Sequence, residues 1–564
     1  MSKEPRIAGC GILCVLNGIS AAARGHVDES EPMKHTHLLI GAVLVFFLAC
    51  TTLLFGAPQK YSSPDETANY LATAGFARGK GLALESPLTV PGGIVAPRNF
   101  TAAEGKLLPA SFIGMPLLYG SIAGIVGTWA VPFLTPLLSV AAVIAAYFLC
   151  SMFMQRRLAL LTTVLIAFHP AFWYYTSRGM FHNAAFFDLA LIGTFALLHA
   201  ALHSAAATST RKALWYALAG LSFGVAVAVR TSEAVWLGAV VLALLVALRR
   251  KLDLRLGIGA LAAGAVLPML AVFYYNTQLF GQALSFGYTQ TAIDTSSVAA
   301  ASSGVLDKVG SLFFPFGFDA GAIARNFWDY GFRIFGIPAV FALCGFVMAL
   351  RSKVSAAGKL YLGIVLFVGA WLVVYYGSRV IQDNPDPNAV TIGTSYVRYW
   401  IPLYALSMPF AALFLSRVAE RFGRWRRQAL VGLAGVFVAG SLAAVITSEG
   451  EGLAAVRAGT LEYSQLSQRA SQLTPANAVI LAGRGDKVFF PERSVIASVE
   501  TPQQLSELRT LVSSVPVFVY VSAAQSPAGV RQTWEQRGFS LGDEITMAEY
   551  ERLYRMSDAL KGTP

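Results

Sequence analysis

Residues 234–251 read Ala-Val-Trp-Leu-Gly-Ala-Val-Val-Leu-Ala-Leu-Leu-Val-Ala-Leu-Arg-Arg-Lys, an unbroken apolar run closed by three cations. A run without a polar face has nowhere to meet water along its length, and a basic cluster at its end marks a cytoplasmic loop. Further runs lie near 37–56, 108–127, 131–154, 158–177, 183–204, 213–229, 257–275, 334–350, 358–377, 396–416 and 428–446. Crossing a hydrocarbon core of ~30 Å takes about 20 such residues. Over its 564 residues the chain is 55% apolar and only 13% charged, about half the charge of a soluble globular domain. These features predict a polytopic α-helical membrane protein.

The net charge of +12 does not imply nucleic acid. Its cations sit in short loops: Arg156-Arg157, Arg211-Lys212, Arg249-Arg250-Lys251 with Arg255, Arg351 with Lys353, and Arg421, Arg424, Arg426 and Arg427. That is an orientation signal. Working back from these loops, residues 57–107, 276–333, 378–395 and the tail from 447 fall outside the cytoplasm. Two full crossings between 108 and 154 would put Arg156-Arg157 on the wrong side. Pro109, Gly114, Pro116, Gly120 and Gly124 instead suit a broken or interfacial helix at 108–127, leaving about eleven transmembrane helices.

The expected organisation is a cytoplasmic leader over 1–36 (or an extension upstream of a start at Met33), a transmembrane domain over 37–446 with a first external loop at 57–107, and a tail over 447–564. No small-residue cleavage site follows the first run, which therefore reads as a retained span. In the tail, short apolar strands (Ala478 to Ala482, Val515 to Val521) alternate with polar helical patterns (Pro502 to Ser513, Ala528 to Arg537), predicting a small α/β extracytoplasmic domain that serves as a recognition element or lid. Cys10, Cys14, Cys50, Cys150 and Cys344 have neither metal nor disulfide-framework spacing.

Ionisable groups at the outer ends of spans carry the chemistry, because charge at membrane depth is costly. Ser63-Pro64-Asp65-Glu66 opens the first external loop. It fits a helix start, with Ser63 as N-cap, Pro64 at the first position and Glu66 closing a capping box. It fits an active-site acid equally well, because the box leaves Asp65 without a structural duty. The helix that follows, to about Arg78, is too polar to span and is expected in the outer interface. Three clusters share that side: Tyr174 to Asn183, with Arg178 and His182; Arg230-Thr231-Ser232-Glu233; and Arg379 with Arg398-Tyr399-Trp400-Ile401-Pro402. A single outer Arg is explained by snorkelling to headgroups. Four on the face that carries an acid point to an anionic ligand, most naturally phosphate, which Arg grips in bidentate fashion. His199 and His203 are spaced i, i+4 but lack a third metal ligand, and His169 before Pro170 reads as a hydrogen-bonded core residue.

In order, these motifs resemble the superfamily C glycosyltransferases, above all the protein O-mannosyltransferase and aminoarabinose-transferase-like branch. The likeness covers about residues 37–446: Asp65-Glu66; a Pro-containing span ending in Arg178-x4-Asn183; Val-Arg-Thr-Ser-Glu at 229–233; Tyr-Asn-Thr-Gln-Leu-Phe-Gly at 275–281 followed by Gly287-Tyr288; and Arg398-Tyr399-x-x-Pro402. The resemblance implies transfer of one sugar from a polyprenyl-phosphate-linked donor to a glycan, lipid or protein acceptor on the extracytoplasmic side of a cell (inner) membrane. Asp65 is then the expected general base. Glu66, Arg178, His182, Asn183, Arg230, Tyr288, Arg379, Arg398 and Tyr399 are expected to bind substrate. No cofactor follows from the residues. A divalent metal is not favoured, because Asn183 stands where many relatives have Asp. The alternative, a transporter or flippase of an anionic lipid-linked substrate, calls for repeated halves and mid-span charges; no repeat is seen in the sequence, and the charges collect at one face.

Overall fold

The computed structural model describes residues 30–52, 60–89, 93–203, 208–253, 256–287, 317–381, 383–386 and 388–559. By internal contacts the chain forms two compact units, each assembled from separate stretches: residues 1–54, 133–270 and 301–455 in the first, and 55–132, 271–300 and 456–564 in the second.

The first unit is a helical membrane bundle. Across the described chain, eight helices are long and apolar enough to cross a membrane: Thr128–Ser151, His182–His203, Ser209–Val229, Thr231–Leu248, Leu256–Phe280, Ala356–Gly377, Ile401–Glu420 and Gly423–Thr447. Two bent pairs raise the number to ten, Arg156–Ala167 with Pro170–Arg178 at 55°, and Ala320–Arg333 with Gly336–Leu350 at 99°. Eleven crossings would also require the first helix, whose apolar described part, Thr36–Thr51, is shorter than those spans. Gly114–Val126, from the doubted run at 108–127, is likewise too short to cross.

The bend at 55° is local chemistry. Pro170 cannot donate a backbone hydrogen bond and starts a new helix instead. His169 caps that helix by accepting from the Ala171 N–H at 3.3 Å. Its ring stacks on Tyr404, with centroids 4.9 Å apart, and meets Phe335 edge-on; it is the hydrogen-bonded core histidine expected. Helix Ser209–Val229 packs against Leu256–Phe280 through Gly220-x-x-x-Gly224. A Cβ on Gly220 would strike the Leu261 carbonyl, and one on Gly224 the Ala265 carbonyl. Small residues at that spacing let two membrane helices bring their backbones together.

The second unit contains the first loop and the tail. Helix Pro64–Ala77 is followed by a three-stranded antiparallel sheet of order β1-β3-β2, with β1 Leu84–Glu85, β2 Phe100–Ala103 and β3 Lys106–Pro109. The tail holds a five-stranded sheet of order β5-β4-β6-β8-β7, made of β4 Val479–Leu481, β5 Ser494–Ile496, β6 Val517–Val521, β7 Phe539–Thr546 and β8 Arg552–Asp558. Strands β5, β4 and β6 are parallel, and β6, β8 and β7 antiparallel. Both faces are covered, which is why β6 reads as the unbroken apolar run Val-Phe-Val-Tyr-Val. Val517, Val519 and Val521 pack with Leu508 and Trp534 of the tail helices. Phe518 and Tyr520 point the other way, into a cluster with Ala68, Phe100 and Leu107 of the first loop.

That second cluster takes in helix Pro64–Ala77 through Ala68. Glu66 to Ala74 are buried apart from Leu71, and Ser111 donates to Asn69 at 3.1 Å.

Candidate active site

In the membrane unit the structure gathers three of the four arginines expected on the outer side into a stack interleaved with rings. Gly179 makes this possible. It ends helix Pro170–Arg178 at φ 72°, a left-handed conformation that costs glycine little. The chain reverses there, so that Arg178 and Phe181 flank the turn, and Thr135 donates to the Gly179 carbonyl. The Arg178 guanidinium lies 5.1 Å from the centre of the Phe181 ring, and that of Arg398 lies 4.6 Å from the same centre. Arg398 is also 5.4 Å from the Tyr399 ring, and Arg230 is 4.7 Å from Tyr399 and 5.7 Å from Tyr376. Tyr376 and Tyr399 stack with centroids 4.3 Å apart. Each cation–ring contact contributes about 0.5–2 kcal/mol, more as water is excluded.

Each arginine is held from its own side. Arg178 donates Nη1 to the Tyr174 hydroxyl at 2.7 Å, and Tyr174 donates onward to the Glu451 carbonyl at 2.8 Å. Arg398 sits on the short helix Ser395–Tyr399 and donates Nη2 to Ser395 Oγ at 2.8 Å. The Ser395 N–H is itself capped by Asp383 at 2.6 Å, and Tyr175 donates to the carbonyls of Ile392 and Thr394 just before that helix. Arg230 ends helix Ser209–Val229, and a 3-10 turn, Thr231–Glu233, returns Glu233 to it. Arg230 Nε donates to Glu233 Oε1 at 2.7 Å, and Arg230 Nη2 to the Tyr376 hydroxyl at 2.9 Å. Glu233 accepts in addition from Trp236 and Tyr376. A guanidinium whose face lies on a ring keeps its N–H edge in plane, the geometry that takes an oxyanion in bidentate fashion.

The remaining expected residues fall as follows. His182 and Asn183 are buried in the first turn of helix His182–His203, next to Phe181. The Arg379 side chain is exposed, and its carbonyl accepts from Tyr396. Tyr288 lies outside the described residues. Asp65 and Glu66 belong to the second unit. There the Ser63 hydroxyl accepts from the Asp65 N–H at 3.3 Å, so the cap reaches the second helical position and not Glu66, as the expected capping box requires. The Glu66 side chain is only 1% exposed. Asp65 is half-buried and accepts a hydrogen bond from the Asn99 side-chain amide. Asn99 is one of two non-glycine residues with positive φ among those described, at 63°, a conformation asparagine tolerates better than most residues. Its carbonyl accepts from the Ala110 N–H at 2.9 Å.

Sequence reading passed over Phe181, Tyr376 and Asn99. It also passed over Asp188, a fully buried acid within helix His182–His203 that accepts from Ser139. For Asp188 the signal was present, since a carboxyl inside an apolar run is rare enough to single out.

No family model and no curated protein matches the chain. Solved structures do. The oligosaccharyltransferase of Archaeoglobus fulgidus in its apo form superposes with a TM-score of 0.54 at 13% identity, over 87% of this chain and 69% of that one. The same enzyme in complex with Zn and sulfate gives 0.52 at 14% identity, over 88% and 69%. ArnT from Cupriavidus metallidurans in the apo state gives 0.50 at 12% identity, over 95% of this chain and all of that one (100%). The chain shares the fold of these solved structures. At these identities the likeness is one of architecture, and a shared fold says nothing by itself about which side chains act.

Proposed function

We propose that this protein is a membrane glycosyltransferase. It takes a single sugar from a polyprenyl-phosphate-linked donor and passes it to a glycan, lipid or protein acceptor on the extracytoplasmic side of the cell membrane. The observation that carries this reading is the stack Arg178–Phe181–Arg398–Tyr399–Arg230. Three guanidiniums held on aromatic faces offer a preorganised set of donors where negative charge must be stabilised. The fold supports the reading, since the solved neighbours are an oligosaccharyltransferase and ArnT.

In this reaction the acceptor hydroxyl oxygen attacks the anomeric carbon. The bond from that carbon to the phosphate oxygen breaks, and the configuration inverts. The acceptor proton passes to the Asp65 carboxylate, and polyprenyl phosphate leaves with the bonding electrons. The arginines meet the charge that grows on the departing phosphate; Asp65, fixed by Asn99, meets the proton.

The test is direct. The protein in nanodiscs is given polyprenyl-phosphate-linked sugars with membrane extract as acceptor, and polyprenyl phosphate release is followed for wild type and Asp65→Asn. Release that disappears in the variant supports the assignment. Intact donor carried across a vesicle bilayer without release would replace it with the transporter reading.

A further inference from the structure

The tail does more than cover the first loop: we infer that its sheet is the receptor that positions Asp65, with Arg98 as the internal ligand. In an open α/β sheet the crevice at the carboxyl ends of the parallel strands, where connections leave in opposite directions, is the place that takes a ligand. Strand β4 is such a point, flanked by β5 on one side and β6 on the other. The segment leaving β4, Gly483 to Asp486, accepts the guanidinium of Arg98 from the first loop. Arg98 donates Nε and Nη2 to Asp486 Oδ1 at 3.1 and 2.7 Å, and Nη2 also to the Arg484 carbonyl at 2.8 Å. The Arg98 backbone N–H reaches Asp486 Oδ2 at 2.7 Å. Asp486 is 1% exposed and Arg98 31%, so this charge-assisted fork is anchored on a buried carboxylate while its guanidinium stays partly exposed.

The residue after Arg98 is Asn99, whose amide holds Asp65. With backbone and side chain of residue 98 both fixed on one carboxylate, residue 99 has little freedom in where it aims its amide. The other approach to Asp65 is fastened to the same stretch of tail. Lys60 donates to the carbonyls of Val488 and Phe490 at 2.8 and 3.0 Å and pairs with Glu492. Lys487 donates to the Ser62 carbonyl. Tail residues 484–492 thus hold the chain just before Asp65 and the amide that grips it. Arg98, Asp486, Lys60 and Lys487 are positioning residues, acting on the reaction through Asn99 and Asp65.

This inference rests on the reading of Asp65 as the base, and its experiment keeps the two apart. The full-length protein in nanodiscs is compared as wild type, Asp65→Asn, Asn99→Gly (which keeps the positive φ without the amide), Asp486→Asn and Arg98→Lys. Polyprenyl phosphate release from a polyprenyl-phosphate-linked sugar is measured over a range of donor concentrations, beside hydrogen–deuterium exchange of residues 96–110. Asn99→Gly and Asp486→Asn are expected to lower kcat about 10- to 100-fold with donor KM unchanged. In Asp486→Asn, exchange at 96–110 should rise while β4 and β6 stay protected. Arg98→Lys, which keeps the charge and loses the fork, should fall between these variants and wild type. Loss of turnover in Asp65→Asn with wild-type kcat in the other three overturns the positioning inference alone. Full turnover in Asp65→Asn overturns the base. Should Asp486→Asn expose β4 and β6 as well, Asn99→Gly and Arg98→Lys decide the matter.

Discussion

Asn99 donates its side-chain amide to the Asp65 carboxylate from a backbone held at φ 63°. In the proposed reaction this contact orients the acid that takes the acceptor proton.

Asp65→Asn is therefore expected to cut turnover about 10²- to 10⁴-fold, the usual range for loss of a general base, with expression and membrane insertion intact. Asp65→Glu keeps the charge but moves it by one methylene, and should recover only part of that loss. Initial rates of polyprenyl phosphate release, normalised to folded protein, decide both.

The arginine stack predicts a graded response. Arg398→Ala should weaken binding of polyprenyl phosphate about 10- to 100-fold, as expected from a hydrogen bond to a charged group worth ~1.5–3 kcal/mol. Phe181→Leu carries no charge change, yet Phe181 lies against both Arg178 and Arg398, so a loss of about 3- to 10-fold is expected. Titration by native mass spectrometry reads both, and unchanged affinity in Arg398→Ala would count against phosphate recognition there.

Glu233 answers to stability more than to binding. It accepts from Arg230, Trp236 and Tyr376 while only 3% exposed. Glu233→Gln leaves Arg230 buried without its counter-charge, a change that costs about 3–5 kcal/mol. Tyr376→Phe removes one hydroxyl and should cost ~1 kcal/mol. Thermal unfolding in detergent, followed by intrinsic fluorescence, should show the larger fall in Tm for Glu233→Gln.

The tail has its own pH dependence. Burial raises the Glu551 carboxyl above its ordinary 4.5, with Glu462 adding to the effect and the Tyr520 hydrogen bond opposing it. Tyr520 donates to Glu551 Oε1 at 2.6 Å, while Oε2 is buried with no hydrogen-bond partner among the described residues. A carboxyl whose folded pKa is raised binds its proton more tightly when folded. Its contribution is full below pH 4.5 and is lost as pH rises through the raised value. Glu551→Gln should flatten that loss. Hydrogen exchange of β6 and β8 between pH 4.5 and 7 is the measurement, and identical pH slopes for the two proteins would contradict it.

The membrane bundle was legible because twenty-residue apolar runs and basic loops follow from the solvent itself. Arg178, Arg230 and Arg398 stood out for the same reason, as cations away from the basic loops that predict the cytoplasmic side. Phe181 and Tyr376 did not, because an aromatic residue beside an apolar run looks like any other core residue. Strand β6 was visible as an apolar run, whereas β5 has three residues and β7 mixes polar and apolar positions. The capping-box reading of Ser63 and Glu66 was reasonable from spacing, yet tertiary burial of Glu66 overrode it. Asn99 resembled ordinary loop punctuation. Nothing local announces that Arg98 finds its partner 388 positions further on.

That separation bears on how the protein is made. The stretch containing Asp65 leaves the ribosome well before the residues that fasten it, 484–492. Lys60 waits 432 positions for Glu492. Until then the first loop is without its scaffold, with Phe100 and Leu107 lacking the apolar surface they later share with Phe518 and Tyr520. A chain interrupted anywhere before the tail would hold most of its apolar helices and still lack the residues that fasten the first loop. The geometry around Asp65 is thus set by residues made long after it.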